Sequence, residues 1–452
     1  MAEPHGTLRL AGRRIVVGPN EIAGVTSRIA QALAGAGAEV RCYFGHEHPF
    51  NPVFSELPRI RRWHRRGITL ASRTADKGGI LRLAAGVIAG ACRISAFLRT
   101  CLWADTVVMV GGKGFLGNPK EYGLYRMLGR RVIHVFVGTA SRPRYLSGYA
   151  KDVVANGRVH ERKLRKLAQR ARRQARRVQA ISRQASLVVE NPLGGHFQEK
   201  PFVNWFKLGI PLDLEALLAE PRVSDRTPPR VPGKVRILHC PSRPEIKGSA
   251  RIEAVMKELL AEGLPIDFRK LTGVPHGQVL HEIAECDLVI DQLYSDFPLA
   301  GFAAEASAFG KPAVVGGYGW DLLAGSLGAE EMPPTVTCHP DDLANAVRAL
   351  VTSEAARRVA GEKARDFLGR RWSQTAFSER FARLVSGDLP EDWLVAPETV
   401  RYTCGLGLES DEARRLIRAL AERFGPGALG VDHLPALRDH LMAFARDDSK
   451  TS

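Results

Sequence analysis

One recurring pattern limits what this chain can fold into: short apolar runs rich in valine and isoleucine, each followed by a turn and then by a stretch with helical spacing. The series opens with Arg14 to Gly18, a Gly-containing turn PNEIAG, and a helical stretch from Val25 to Leu33. Glu39 to Phe44, Thr106 to Val110 and Arg131 to Val137 supply further runs of the same kind, separated by helical segments. Strands this uniformly apolar have to be covered on both faces, which is the condition of a parallel sheet wound with crossover helices. The pattern therefore predicts an α/β, doubly wound architecture.

At 452 residues the chain exceeds what one hydrophobic core organises, so two domains plus an appendage are expected. A proline-rich polar stretch, EPRVSDRTPPRVPG, precedes a fresh run from Val235 to Cys240 and reads as a linker. Beyond it the alternation resumes. Helices are predicted over Ile252 to Ala261, Gly277 to Ala284 and Phe302 to Phe309, and strands over Ile266 to Leu271, Leu288 to Leu293 and Ala313 to Val315. After Leu389 the spacing breaks into two short amphipathic helices, Asp411 to Phe424 and Leu434 to Phe444. The expected division is an N-terminal Rossmann-like domain over 1–212, a linker over 213–233, a second Rossmann-like domain over 234–388, and a helical appendage over 389–452.

Lysine and arginine outnumber aspartate and glutamate by 65 to 48, a net charge of +17 that implies an anionic partner. From Val159 to Ile181 the apolar positions Leu164, Leu167, Ala171, Ala175 and Val178 recur three or four apart. Ten lysines and arginines from Arg158 to Arg177 surround that stripe, so one face of the helix is strongly basic. Such a face suits plain solvation or contact with phosphate groups, including those of an anionic membrane; RIRRWHRR at Arg59 to Arg66 invites the same reading. The most apolar stretch, Gly79 to Trp103, is interrupted by Arg82, Arg93 and Arg99. About ten uninterrupted residues remain where a span needs ~20, so it is read as an amphipathic or buried helix. The first ten residues show no secretory pattern, and the seven scattered cysteines form no CxxC or zinc-spaced cluster. A cytoplasmic location, with peripheral contact at the inner face of a membrane, is expected.

Three segments carry chemistry. In VRILHCPSRPEIKGS, Arg243 and Lys247 sit between a strand and a helix, where a guanidinium fork, a lysine point charge and helix-start amides together stabilise a diphosphate. In DQLYSDFPLAGFAAEASAFGKP, Gly301 permits close approach of the backbone, and Phe302 and Ala303 offer amides at a helix start. Glu305 follows, placed to accept hydrogen bonds from ribose hydroxyls. The same acid also suits a helix N-terminus electrostatically, so its position alone leaves both roles open. Between these segments lies TGVP, where Val274 is a wall for a base or part of a plain turn.

The succession HCPSRPEIKGS, LTGVP, CDLVIDQL and GFAAEASAFGKPAVV resembles the C-terminal half of retaining GT-B glycosyltransferases of the family-four (group 1) type, over roughly 234–388. The resemblance implies two Rossmann-like domains facing across a cleft. It also implies a nucleotide diphosphate-sugar donor, transfer with retention, no metal requirement and no cofactor beyond the nucleotide-sugar co-substrate. Arg243 and Lys247 match the diphosphate pair and Glu305 the ribose acid; PNEIAG with Gly24 looks like the turn that faces donor phosphates and acceptor. The family often has two glutamates eight positions apart. Here Phe297 stands eight before Glu305, with Asp296 one residue off register. Val137 and Ala140 stand where relatives often carry a histidine and an acid.

The expected function is therefore sugar transfer from a UDP- or GDP-sugar to a glycan or lipid-linked acceptor in envelope or polysaccharide synthesis. The alternatives are a GT-B protein that binds nucleotide sugar or glycan without transfer, and a sugar-nucleotide epimerase. Nucleic-acid binding has only the charge behind it, since no RNP-like aromatic motif, zinc-finger spacing or basic zipper is present.

Overall fold

The computed structural model describes residues 10–22, 24–43, 69, 80–155, 158–220 and 227–447. Arg59 to Arg66 and the last five residues of the polar tail lie outside them. The chain forms two compact α/β units that are not contiguous in sequence. The first comprises 1–141, 174–211 and 374–397, and the second 142–173, 212–373 and 398–452.

The first unit is built on a seven-stranded sheet. Its order is Leu394–Val395, Phe202–Asn204, Leu187–Glu190, Arg131–Val135, Thr106–Val110, Arg14–Pro19 and Glu39–Cys42. All neighbours are parallel except the edge strand Leu394–Val395, which pairs antiparallel with Phe202–Asn204. Thr106–Val110 is buried along its whole length, as its unbroken apolar run demands. Two strands that the alternation pattern did not mark, Leu187–Glu190 and Phe202–Asn204, have four and three residues. Helix Gln374–Ser386 returns to this unit by burying Phe377, Phe381, Leu384 and Val385. Arg131 Nε donates to Leu384 O at 2.8 Å, which ties that helix to a central strand.

Helix Ile80–Trp103 also belongs to the first unit. It buries Ala85, Ala89, Ala96 and Phe97, with Phe97 packed on Tyr125 at 5.0 Å between ring centroids. Leu83, Val87, Ile94, Leu98 and Leu102 point outward. These five positions fall within about a third of a turn of one another at 100° per residue, so they form one stripe. By length and composition alone, Leu83–Trp103 is apolar enough to cross a membrane.

The second unit has a five-stranded, wholly parallel sheet in the order Ile266–Lys270, Val235–His239, Leu288–Gln292, Ala313–Gly316 and Val336–Cys338. Its core joins Ile237, Leu288, Ile290 and Val314 to Ile252, Val255 and Leu259 of helix Ser249–Ala261 and to Leu343, Val347 and Leu350 of helix Leu343–Thr352. Within the stretch expected as linker, Leu214–Ala219 is a short helix whose N-cap Asp213 accepts from Ala216 N. Further along, Arg230 forks onto Asp287 at 2.6 and 2.7 Å, and buried Arg236 donates to the carbonyls of Pro228 and Pro229.

Residues 389–397 lie in the first unit and those from 398 onward in the second. There helix Ser410–Phe424, itself packed on helix Pro435–Arg446, meets segment 142–173: Arg172 donates to Phe424 O at 3.2 Å, and Tyr145 OH donates to Leu429 O, in the turn between the two helices, at 3.0 Å.

Candidate functional site

Because every strand of the five-stranded sheet runs the same way, the loops leaving their carboxyl ends gather along one edge, where open α/β sheets bind ligands. Arg243 and Lys247 sit on the loop after Val235–His239, Val274 on the loop after Ile266–Lys270, and Asp296 on the loop after Leu288–Gln292. Gly301, Phe302, Ala303 and Glu305 begin the helix that follows.

The first loop is anchored from below. His239 is fully buried, with Nδ1 2.8 Å from Ile290 O and Nε2 2.8 Å from Ser249 Oγ. A carbonyl only accepts, so Nδ1 carries the proton and Nε2 accepts from the Ser249 hydroxyl. Burial also pushes the imidazole pKa down, consistent with that neutral form. Pro244–Lys247 is a single helical turn closed by Gly248 at φ 73°, a left-handed conformation that suits glycine. Lys247 Nζ lies 2.8 Å from Asp291 Oδ1, and Asp291 is 1% exposed. That contact uses one of the ammonium's three donors, and the lysine side chain keeps 18% exposure.

Glu305 stands in a three-residue cluster. His276 Nε2 is 3.1 Å from Glu305 Oε1, and Nδ1 is 2.8 Å from Glu220 Oε1. The bond to Glu305 is the chief cause raising the His276 pKa to about 9, against the opposing effect of burial. Cys240 follows the first strand directly. Burial pushes its thiol up to about 12; Glu305, Glu282 and Asp291 act in the same direction and Lys247 in the opposite one.

The other positions divide. Arg243 is exposed and lies over the Tyr149 ring, 5.1 Å from its centroid. Asp296 is buried in an ion pair with Arg142, so its carboxylate already has a cationic partner. Phe297 packs on Trp372 at 6.1 Å between ring centroids. Val274 is half-buried between Gly273 and Pro275. A side chain at Gly301 would meet nothing within 4 Å, so nothing in the fold itself requires glycine there. Ala300 provides no side-chain cap, which leaves the first-turn amides of Gly301, Phe302 and Ala303 turned outward from the helix start.

Sequence reading missed the partners that shape this edge: Asp291, His276, Glu220, Arg142 and Tyr149. It also missed the wall supplied by the segment after 398. Tyr294 OH donates to Glu409 at 2.8 Å, Gly407 N donates to Tyr294 O at 2.8 Å, and Ser410 N donates to Tyr318 OH at 3.2 Å. The run expected as a helical appendage thus touches loops at the strands' carboxyl ends.

In the first unit, Gly24 is buried at φ 76° and caps helix Val25–Gly35 at the carboxyl edge of the seven-stranded sheet. Val137 and Ala140 are half-buried on the loop after Arg131–Val135, where Gln174 Nε2 donates to the carbonyls of Thr139 and Ala140 at 3.1 and 3.0 Å. His134, fully buried, lies 2.8 Å from Tyr122 OH and 2.7 Å from Gly111 O; burial pushes its pKa down to about 3. Glu121 is buried under the glycine-rich loop GGKGFLG, with its Oε2 accepting from Leu116 N at 3.0 Å, and burial raises its pKa to about 7.

No protein-family model matches the sequence, and no curated protein does either. Among solved structures, the chain superposes on that of OtsA in its apo form with a TM-score of 0.50 at 12% identity, over 84% of this chain and 100% of that one. At such identity the likeness concerns the fold, and the fold is α/β of the GT-B glycosyltransferase type, with parallel-rich sheets. Weaker superpositions are found with Anabaena HepE in complex with UDP-glucose (TM-score 0.43, 12% identity, 83% of this chain and 99% of that one) and with WaaG, a glycosyltransferase involved in lipopolysaccharide biosynthesis (TM-score 0.42, 16% identity, 83% and 100%).

Proposed function

We propose that this chain is a glycosyltransferase that moves a sugar from a nucleotide diphosphate-sugar to a glycan or lipid-linked acceptor, with retention and without a metal. The observation that carries the reading is the carboxyl edge of the five-stranded sheet. There an accessible lysine, outward helix-start amides and a carboxylate sit on the segments that follow two neighbouring parallel strands, Val235–His239 and Leu288–Gln292. In this reading Lys247 and Arg243 take the charge of the leaving diphosphate, the amides of Gly301 to Ala303 face its phosphate oxygens, and Glu305 holds the ribose. A panel of UDP- and GDP-sugars tests it by thermal shift, because a ligand of the native state alone raises apparent stability. One of them raises Tm in the wild type and raises it less in Lys247→Ala and Glu305→Ala. No shift with any donor refutes the proposal.

A second reading, a binder of nucleotide sugar without transfer, draws on two particular positions. Phe297 is packed on Trp372, and the carboxylate of Asp296 is engaged by Arg142. Donor binding with neither hydrolysis nor transfer across a broad acceptor screen decides for this reading; release of labelled sugar decides against it.

We further infer peripheral contact with an anionic membrane at the cytoplasmic face, in service of envelope or polysaccharide synthesis. Two described features support this. Helix Ile80–Trp103 exposes its leucine, valine and isoleucine stripe, and helix Glu161–Gln184 exposes Arg162, Arg165, Lys166, Arg170 and Arg173. Co-sedimentation with vesicles containing anionic lipid, weakened by Leu83→Ser/Leu98→Ser and by salt, is expected. Equal recovery in the supernatant with and without vesicles overturns it.

A further inference from the structure

A histidine with a carboxylate on each ring nitrogen has a restricted protonation state. A neutral imidazole has one N–H and one lone pair, so it satisfies one carboxylate and repels the other; only the imidazolium donates to both. His276 is in that position, with Glu305 on Nε2 at 3.1 Å and Glu220 on Nδ1 at 2.8 Å. It is also the first residue of helix His276–Glu285, where the helix dipole disfavours a cation. The helix does not account for a positive charge there; the two acids do.

The groups that face the ring come from different elements. Glu305 belongs to helix Gly301–Ala308 and Glu220 caps the end of helix Leu214–Ala219, while the Cys240 thiol beyond strand Val235–His239 lies within the field of Glu305. Gripped at both nitrogens, the ring has little freedom to rotate. It therefore fixes the plane of the Glu305 carboxylate, takes one acceptor site of Oε1, and leaves the rest of that oxygen and all of Oε2 for other donors.

We propose that His276 is a positioning residue: clamped by Glu220, it presents Glu305 to the two ribose hydroxyls and makes the site selective for ribonucleotides over their 2′,3′-dideoxy counterparts. This rests on the nucleotide-sugar reading of the site. Its pH dependence follows from the raised pKa of His276. The clamp holds while the imidazole is charged and fails as pH rises through about 9, when Glu305 faces a lone pair or swings away.

Calorimetric Kd values on the full chain test the idea, with UDP and GDP each compared against its 2′,3′-dideoxy form. The wild type favours the ribose form by about tenfold or more, the scale of one or two charge-assisted hydrogen bonds. In His276→Gln the preference falls towards unity while weaker diphosphate-driven binding persists, because the amide turns its nitrogen to one acid and its oxygen, which only accepts, to the other. Glu220→Gln, which leaves the ring and Glu305 in place, lowers the preference part of the way and makes it vanish at a lower pH than in the wild type. Wild-type binding without ribose preference, an unchanged preference in His276→Gln, or a preference constant up to pH 10 each overturns the inference and leaves the nucleotide reading standing. Binding of neither UDP nor GDP overturns both.

Discussion

Truncating Lys247 removes two things at once, a contact for a diphosphate and the counter-ion of a buried acid, and the second has a calculable size. Lys247 Nζ is 2.8 Å from Asp291 Oδ1, Asp291 is 1% exposed, and its Oδ2 is buried with no hydrogen-bond partner among the described residues. At that separation and an effective dielectric of ~20 the attraction is about 6 kcal/mol, most of which offsets the cost of taking both charges out of water. Lys247→Ala leaves the desolvated carboxylate without its cation, a change that costs about 3–5 kcal/mol in fully buried pairs. The 18% exposure of the lysine side chain lets water into the vacated space and lowers the expectation to about 2–3 kcal/mol. For folding units of this size that is a fall in Tm of roughly 5–10 °C.

Replacing the acid as well, in Lys247→Ala/Asp291→Asn, removes the stranded charge and restores at least half of the lost Tm. It does not restore binding of a nucleoside diphosphate. Differential scanning fluorimetry with and without UDP or GDP reads both effects on the same samples. A single variant within about 1 °C of the wild type refutes the energetic reasoning, and a double variant that regains nucleotide binding refutes the role given to Lys247.

Two further outcomes follow from local geometry. Gly248 has φ 73°, and a Cβ there would lie 2.9 Å from Leu293 Cβ and 3.0 Å from Tyr294 Cε2. Gly248→Ala is therefore expected to cost about 2–4 kcal/mol in strain and overpacking, seen as a lower Tm and weaker nucleotide binding; an unchanged Tm contradicts it. Glu121, raised to about 7, keeps a proton in the folded first unit that the unfolded chain has lost. Its contribution is present below about pH 4.5 and is lost as pH rises through 7, a change on the order of 2–3 kcal/mol. Glu121→Gln has no such titration, so the stability of the variant minus that of the wild type, from denaturant curves, rises between pH 4.5 and 7. His134, pushed down to about 3, tilts both proteins the other way between about pH 3 and 6.5, so only the difference is diagnostic. A flat difference sinks the assignment.

The alternation was legible for most strands of both sheets. Thr106–Val110 and Val235–His239 are five-residue strands buried throughout, and their apolar runs stand out in the sequence. Leu187–Glu190, Phe202–Asn204 and Val336–Cys338, of four, three and three residues, were not marked, although Glu39–Cys42 and Ala313–Gly316, of four residues each, were. The returns of the chain were not legible either, because what sends 142–173 into the second unit and 374–397 into the first is burial against distant partners.

The site divides along the same physical line. Lys247 and Glu305 were found because position after a strand end is a local property. Their partners are 44 and 29 residues away, and only the fold brings them together. Asp291 nevertheless left a signal in the sequence. It closes an otherwise apolar run, and an acid at a buried strand position has to find a cation or a set of hydrogen bonds. Its strand pairs with Val235–His239 in parallel, Val289 opposite Leu238, so its carboxyl end lies beside the loop that follows His239. The accessible cations on that loop are Arg243 and Lys247, and the lysine is the one that answers the acid. A lone acid ending a buried parallel strand thus constrains the neighbouring crossover loop to carry a cation, and here the same cation serves the fold and the proposed diphosphate site together.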